Sequence, residues 1–295
     1  LDQGHLSMYG NAGAGARPGL WLRYGIPLTA AKGAISGMGD RRADISPSAV
    51  EIARQRSRGI DFFVLNSVDA RAFMNSFDML FTHHVIEHVL DIEKVARDMR
   101  GFLKSSGKML HVLPCANPGS FEYNISSLYV DGIDPSRGNR FFYEDPGHLR
   151  RMSTDDMDRL FGSVGFRLER EFYANQFWGT VYLFSDTTPS TIKEIFNPQR
   201  RNGRPGFIKF CRALFLALFY ARYAARMNIR DKFTRKSGDP GLPAAKRYAI
   251  GLAGVVAYLP AVLLTRLLEF LARREWLRRA NDRSGSEMAL IFTRA

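Results

Sequence analysis

Cysteine is nearly absent from this chain: Cys115 and Cys211 are the only two in 295 residues. Two thiols cannot form the disulfide framework of a small secreted domain, and they favour a reducing compartment. Acidic residues are scarce in the last third. From Thr191 onward there are 21 Lys and Arg against 7 Asp and Glu, whereas the residues before it hold 21 basic and 22 acidic. The net charge of +13 therefore belongs to that last third and concerns the partner of that segment. No signal peptide is legible, and a start at Leu1 rather than Met raises the expectation that an N-terminal piece is missing. The uncharged run Ala249 to Thr265 has 17 residues and contains Pro260, which puts it near the lower limit for a spanning helix. With 45% hydrophobic and 24% charged residues, the chain is globular and long enough for one large core or two modest ones.

The stretch Asn75 to Pro114 organises the rest. Phe77 to Thr82 is an apolar run behind an Asn-Ser turn, which suits a strand buried on both faces. Ile92, Val95, Ala96, Met99 and Leu103 recur at helical spacing and predict a helix from Asp91 to Leu103. Ser105-Ser106-Gly107 is expected to stop that helix, and Lys108 to Leu113 to form a second strand ending at Pro114. Strand, helix and strand within forty residues make a βαβ unit, and such units imply a doubly wound parallel sheet. Ligands in that architecture sit beyond the carboxyl ends of the strands. Here those ends carry His83 to His88 and Pro114 to Asn117.

The run FDMLFTHHVIEHVLDIEKVARDMRGFLKSSGKMLHVLP resembles the second half of a class I S-adenosylmethionine-dependent methyltransferase. Ala43 to Ala53 (ADISPSAVEIA) is similar to that family's second strand end and following helix, and Gly147 to Phe166 to its Gly-His-x-Arg, helix and Gly-Phe segment. The likeness covers roughly residues 40 to 175 and a last strand near the C-terminus. It implies an α/β, Rossmann-like, mostly parallel seven-stranded sheet with an antiparallel last strand. It also implies S-adenosylmethionine as cofactor, with Gly13, Gly15, Asp44, Ile45, Asn66, Ser67, Asp69, His83 and His84 as the residues that line it.

Read one by one, these positions carry different weights of argument. Gly13-Ala14-Gly15 before Leu20-Trp21-Leu22 suits a backbone turn against a cofactor, although a glycine cluster alone is equally a plain loop, and residues 1–40 match the family poorly. Asp44 precedes Ser46-Pro47, a helix-start signal; its carboxylate can accept both ribose hydroxyls or merely cap the helix. Ile60 to Leu65 predicts a further strand, after which Asn66 or Asp69 takes the adenine-contacting position. His84-Val85-Ile86-Glu87-His88 has the spelling of a zinc-peptidase site, yet it follows a strand where that chemistry needs a long helix. The resemblance also brings in small-RNA methyltransferases that hold a metal here with Glu-x-x-Glu-His, but His84 stands in place of the first Glu. The expectation is a metal-free cleft wall. Residues 116 to 143 form a long connection of the kind that covers an active site, with Phe141, Phe142 and Tyr143 as apolar walls. His148 stands before a helix opened by Ser153 and ended by Gly165, and is a general base or a partner of a loop carbonyl. His84, His88 and His148 are the catalytic candidates.

From Thr191 the character changes. Phe207 to Met227 reads as an amphipathic basic helix carrying Lys209, Arg212, Arg222 and Arg226. Ala249 to Thr265 has basic residues on both flanks, which favours a re-entrant or surface-lying hairpin over a span. Glu287 to Arg294 alternates like a last strand. The division expected is a methyltransferase-like domain at 1–190, a basic helical insertion at 191–286 and a returning strand at 287–295. Together these features predict methyl transfer to an amphiphilic or lipid-linked small molecule at the inner, anionic face of a membrane. The enzyme would be cytoplasmic and peripherally or monotopically attached, with no obligate protein partner. A nucleic-acid methyltransferase or binder is the first alternative, but the basic residues alternate with long apolar runs rather than stacking aromatics. A non-enzymatic membrane protein with a degenerate cofactor site is the second.

Overall fold

The computed structural model describes residues 41–44, 47–56, 61–64, 71–226, 235–236 and 238–295. Gly13, Gly15, Ile45, Asn66, Ser67 and Asp69 lie outside the described residues. Strand β1 (Arg41–Asp44) leads to helix α1 (Pro47–Arg56), and β2 (Asp61–Val64) pairs parallel with β1. Asp44 ends β1, at the carboxyl edge where a nucleoside ligand is expected.

The central unit follows as β3 (Phe77–His83), a 3-10 turn (Ile86–His88), α2 (Ile92–Phe102) and β4 (Leu103–Pro114). The Asp91 carboxylate accepts from the Lys94 backbone N–H at 2.9 Å and starts α2, which buries Ala96, Met99 and Phe102. Ser105-Ser106-Gly107 does not stop the helix, as its composition suggested; α2 already ends at Phe102, and these residues lie within β4. The reason is a bulge. Phe77 pairs with Leu103 and Met79 with Lys108, so residues 104–107 answer Asp78 alone. A Cβ on Gly107 would come within 2.9 Å of Leu103 Cδ2 and 3.0 Å of the Lys104 carbonyl, so the bulge closes only around glycine.

Past β4 the chain forms α3 (Phe121–Ser126), the small hairpin β5 (Ile133–Asp134) and β6 (Arg140–Phe141), α4 (Thr154–Ser163) and β7 (Phe166–Ala174). Ser153 and Asp156 make a capping box at the start of α4, and Gly165, at φ +81, turns the chain into β7. Among the described residues the helices α5 (Trp178–Phe184), α6 (Pro189–Ile195), α7 (Pro205–Arg226) and α8 (Ala244–Arg279) then precede the last strand, β8 (Glu287–Arg294).

The main sheet has the order β3-β4-β8-β7, with β3 and β4 parallel and β8 antiparallel to both its neighbours. Period two sorts its side chains. Met288, Leu290 and Phe292 of β8 join Met109 and Leu113 of β4 and the buried faces of α2 and α4 in one core. Ala289 and Ile291 join Leu110 and Val112 and Trp276 of α8 in another. Both faces of β4 and β8 are therefore covered, as a doubly wound sheet requires. β3 is less enclosed than its apolar run suggested: Leu80 and Thr82 are buried, while Phe77, Met79 and Phe81 are partly exposed. Among the described residues the strands form this mixed sheet of four, the parallel pair β1-β2 and the β5-β6 hairpin.

The helices after β7 make their own core. Phe184, Ile192, Phe196, Phe215, Leu268 and Ala272 pack together, with Ile125 and Tyr129 from the long connection. The expected boundary at 190/191 falls inside this packed body. α8 is one continuous helix of 36 residues through Pro260, about 54 Å long at 1.5 Å per residue, so Ala249 to Thr265 does not fold back as a hairpin of its own.

Candidate functional site

The carboxyl end of β3 gathers most of the chain's imidazoles. β3 closes on His83, and His84 then takes φ +52, a left-handed turn that a non-glycine residue adopts at a cost. That turn lets His84 bridge two carboxylates. Its Nδ1 donates to Glu87 Oε1 at 3.0 Å and its Nε2 to Glu287 Oε1 at 3.3 Å. Glu287 opens β8 and stands opposite Pro114, the last residue of β4; its other oxygen accepts from Asn175 Nδ2 at 3.2 Å. Burial alone would lower the pKa of His84, but its bonds to Glu287 and Glu87 outweigh burial and push it up to about 10. Burial also works against ionisation of Glu87, yet the bond from His84 keeps its pKa low. His84 is thus an imidazolium at neutral pH with no lone pair to offer. With both ring nitrogens bonded to carboxylates, its geometry suits a fixed positive group beside a ligand better than a general base.

His83 behaves in the opposite way. Burial, reinforced by the neighbouring charge on His84, lowers it to about 4, so it is neutral. His83 Nε2 and Glu87 Oε2 are buried without a hydrogen-bond partner among the described residues. Unpaired buried polar atoms at a strand end are groups waiting for a ligand. They fit one with hydroxyls and a charged amino-acid end, which is the chemistry of S-adenosylmethionine.

His88 and His148 meet on the far side of Glu87, with ring centroids 4.6 Å apart and planes at 77°. His88 Nδ1 lies 2.9 Å from the Gly147 carbonyl and donates to it, which leaves Nε2 free. It is His88, not His148, that bonds a loop carbonyl. His148 Nδ1 is 3.7 Å from Glu144 Oε2, beyond hydrogen-bond distance. The zinc-peptidase spelling is not realised: the 3-10 turn sends His84 and His88 to different partners instead of one turn apart on a long helix. Among the described residues two groups of side chains have ligand atoms within 4.8 Å of one another, namely His83, His84 and Glu287, and Glu87, His88 and His148. In the first, both nitrogens of His84 are already held by carboxylates.

The loop over this site is fastened by Arg151, whose side chain is only 3% exposed. Its Nε donates to the Cys115 carbonyl at 2.9 Å and its Nη2 to the Ser286 carbonyl at 3.0 Å, joining the end of β4 to the start of β8. The same guanidinium pairs with Glu122 Oε2 at 2.9 Å and with Glu144, and lies 4.0 Å over the Phe141 ring. Tyr143 donates to Glu122 Oε1 at 2.8 Å. The aromatic wall read from 141 to 143 is therefore bonded to the strand ends that carry the site.

Sequence reasoning missed Glu287, Asn175 and Arg151. Glu287 had a signal, being the acidic first residue of an otherwise apolar strand, but only the antiparallel return of β8 brings it to His84.

Residues 41–111 match the methyltransferase domain family, a span that runs from β1 to the middle of β4. That segment is similar to a methyltransferase domain, and the cofactor implied by such a domain is S-adenosylmethionine. No curated protein matches the chain. Among solved structures, a methyltransferase from Thermotoga maritima is 20% identical with a TM-score of 0.31, over 44% of this chain and 55% of that one. The YcgJ protein from Bacillus subtilis is 18% identical with a TM-score of 0.33, over 52% and 64%. The [4+2]-cyclase SpnF is 13% identical with a TM-score of 0.39, over 98% and 87%. The chain thus spans less than two thirds of the first two. The family match is confined to residues 41–111, and these superpositions carry no further argument.

Proposed function

We propose that the chain is an S-adenosylmethionine-dependent methyltransferase whose acceptor is an amphiphilic or lipid-linked small molecule met at an anionic membrane surface. The β1-β2 pair and the four-stranded sheet are parts of one seven-stranded sheet in this reading, with Asp44 at the ribose and His83 and His84 at the cofactor's edge. The cofactor supplies an electrophilic methyl group; the chain's own residues position the acceptor and take its proton. His84 is held protonated, so His88 and His148 are the imidazoles that meet the acceptor.

The observation that carries the membrane half is the outer face of α8. Leu252, Val256, Leu259, Leu263, Leu267 and Phe270 are exposed along one stripe, while Ala261, Leu268, Ala272 and Trp276 face inward. Phe210, Tyr220 and Tyr223 of α7 are exposed as well. α8 is long and apolar enough to cross a membrane by length and composition. An apolar stripe of this extent on a helix that also carries Lys246 and Arg274 suits an anionic bilayer surface. Not every basic residue serves it. Arg222 is buried, lies 4.0 Å over the Tyr182 ring and donates to Ser185 Oγ at 2.6 Å, so it holds α7 to α5 instead.

Two measurements test the proposal on the whole chain. Calorimetric titration should show S-adenosylmethionine binding. Sedimentation with phosphatidylglycerol vesicles should carry the protein down at low salt; high salt should loosen it, and salt with detergent release it. Steep release by salt with indifference to detergent would point to nucleic acid. Protein that stays in the supernatant with anionic vesicles at low salt refutes the membrane half, and absence of cofactor binding refutes the enzymatic half.

A further inference from the structure

A cavity of about 440 Å³ lies between the β5–β6 hairpin and the chain ahead of α7, lined by Ile133, Phe141, Phe142, Arg137, Arg140 and Arg200 with Asp131 and Asp134. Both of its carboxylates accept hydrogen bonds from neighbouring groups. Asp131 pairs with Arg200, whose Nε donates to Oδ1 at 2.9 Å and whose guanidinium lies 4.3 Å over the Phe142 ring. Asp134 Oδ1 accepts from Ser136 N at 3.0 Å, from Arg137 N at 3.3 Å and from Ser136 Oγ at 2.6 Å, and so caps its own turn.

The other two guanidiniums make no ion pair among the described residues, although the charge of Arg137 is felt by the Asp134 carboxylate. Arg137 is exposed, and its side chain has no ion pair among the described residues. Arg140 is only 8% exposed. Its Nη2 donates to the carbonyls of Asp145 at 2.9 Å and Glu144 at 3.4 Å, both uncharged groups, and its Nε has no partner among the described residues. A buried guanidinium bonded only to carbonyls is poorly compensated, and its planar fork suits a phosphate or a carboxylate. Phe141, Phe142 and Ile133 offer apolar walls beside that fork, and the volume is that of a small-ligand pocket.

We infer that this cavity binds the phosphate of a phosphorylated amphiphile, with Arg140 and Arg137 on the phosphate oxygens and the aromatic wall against the adjoining carbons. The inference rests on the acceptor class proposed above and names a feature of it. The cavity also shares a loop with the site: the Asp145 carbonyl that holds Arg140 belongs to the residue whose carboxylate accepts from Gly147 N at 2.7 Å, and the Gly147 carbonyl holds His88. A phosphate seated at Arg140 would therefore anchor an acceptor beside His88.

The test is calorimetric titration of the full chain with dihexanoyl phosphatidic acid and, separately, with inorganic phosphate. The short-chain lipid is expected to bind, and Arg137→Gln and Arg140→Gln each to weaken it at least about tenfold, the effect of one charge-assisted hydrogen bond. Thermal melts confirm that both variants fold; should Arg140→Gln not fold, the exposed Arg137→Gln decides alone. Tighter binding of the lipid than of inorganic phosphate supports an amphiphile. Equal binding of the two, sensitive to the same variants, keeps the phosphate site but overturns the amphiphile. No binding of either, or affinities unchanged in Arg137→Gln, overturns the site. S-adenosylmethionine is titrated in the same samples: its failure to bind the parent would sink the proposed enzyme while leaving the phosphate result standing.

Discussion

Replacing Arg151 with methionine tests whether the fastening of the site loop is as costly to lose as its geometry implies. The guanidinium makes two bonds to main-chain carbonyls and pairs with two glutamates, with almost no water contact. Methionine fills much of the volume but leaves Glu122 and Glu144 as neighbouring carboxylates in a poorly hydrated place. Removing one member of a buried ion pair costs about 3–5 kcal/mol. Glu122 is slightly more open than Glu144, so some water can replace the lost charge, and the lower end, about 3 kcal/mol, is expected. That is a large part of a typical total of about 5–15 kcal/mol. The loss should also depend on pH. In the parent, burial opposes ionisation of Glu144, but His148 and Arg151 together hold its pKa below the ordinary value. A carboxylate of that kind stabilises the fold above its unfolded pKa, and the contribution fades as pH falls through the folded one. The gap between parent and variant should therefore be widest at neutral pH and narrow below about pH 4.5, the ordinary glutamate range. Urea unfolding at pH 7 and at pH 4 measures both effects. A loss below about 1 kcal/mol at pH 7, the level of an exposed pair, would refute the reasoning. So would a triple variant with Glu122→Gln and Glu144→Gln that is no more stable than Arg151→Met alone.

Asp44→Ala should weaken S-adenosylmethionine binding by about 1.5–3 kcal/mol, the value of bonds to a charged group; undiminished affinity in a titration would show that Asp44 only caps α1. His111 is buried in β4, stacked on Phe161 at 4.5 Å with Nδ1 2.7 Å from Thr82 Oγ1, and burial lowers it to about 3. The unfolded chain takes up that proton first, so stability complete above about pH 6.5 should fall by up to about 1.4 kcal/mol per pH unit toward pH 3. His111→Gln should flatten that slope in urea unfolding between pH 7 and pH 5, and parallel slopes would contradict it. Glu275 of α8 accepts from the backbone N–H groups of Phe177, Trp178 and Gly179 at 2.9–3.0 Å, so Glu275→Ala should speed hydrogen exchange across 177–184. Unchanged exchange there would mean that α8 does not hold α5.

Local chemistry was enough to find the central unit. The apolar spacing of Ile92, Ala96 and Met99, the cap at Asp91 and the strand runs on either side are short-range signals, and a helix or strand responds to its own period. Pro47, the Ser153 box and Gly165 likewise marked their elements from sequence alone. The same signals carried the family resemblance, because that family is defined by this succession of elements. Ser105-Ser106-Gly107 misled for a physical reason: glycine serves a helix stop and a bulge equally well, and only the pairing of Phe77 with Leu103 and Met79 with Lys108 chooses between them. The site needed the tertiary structure. His84 was visible as a histidine after a strand, but its protonation depends on Glu287, 203 residues away, which the antiparallel β8 delivers to the end of β4. Arg151 and Arg222 looked like ordinary basic residues until packing buried them against carboxylates, a carbonyl or a hydroxyl, and an aromatic ring. Sequence by itself determined most of the central elements and the family they resemble, because those rest on neighbours in the chain. The fold alone decided which charges are buried, paired or left open, because the energy of a charge is set by whatever the fold places beside it.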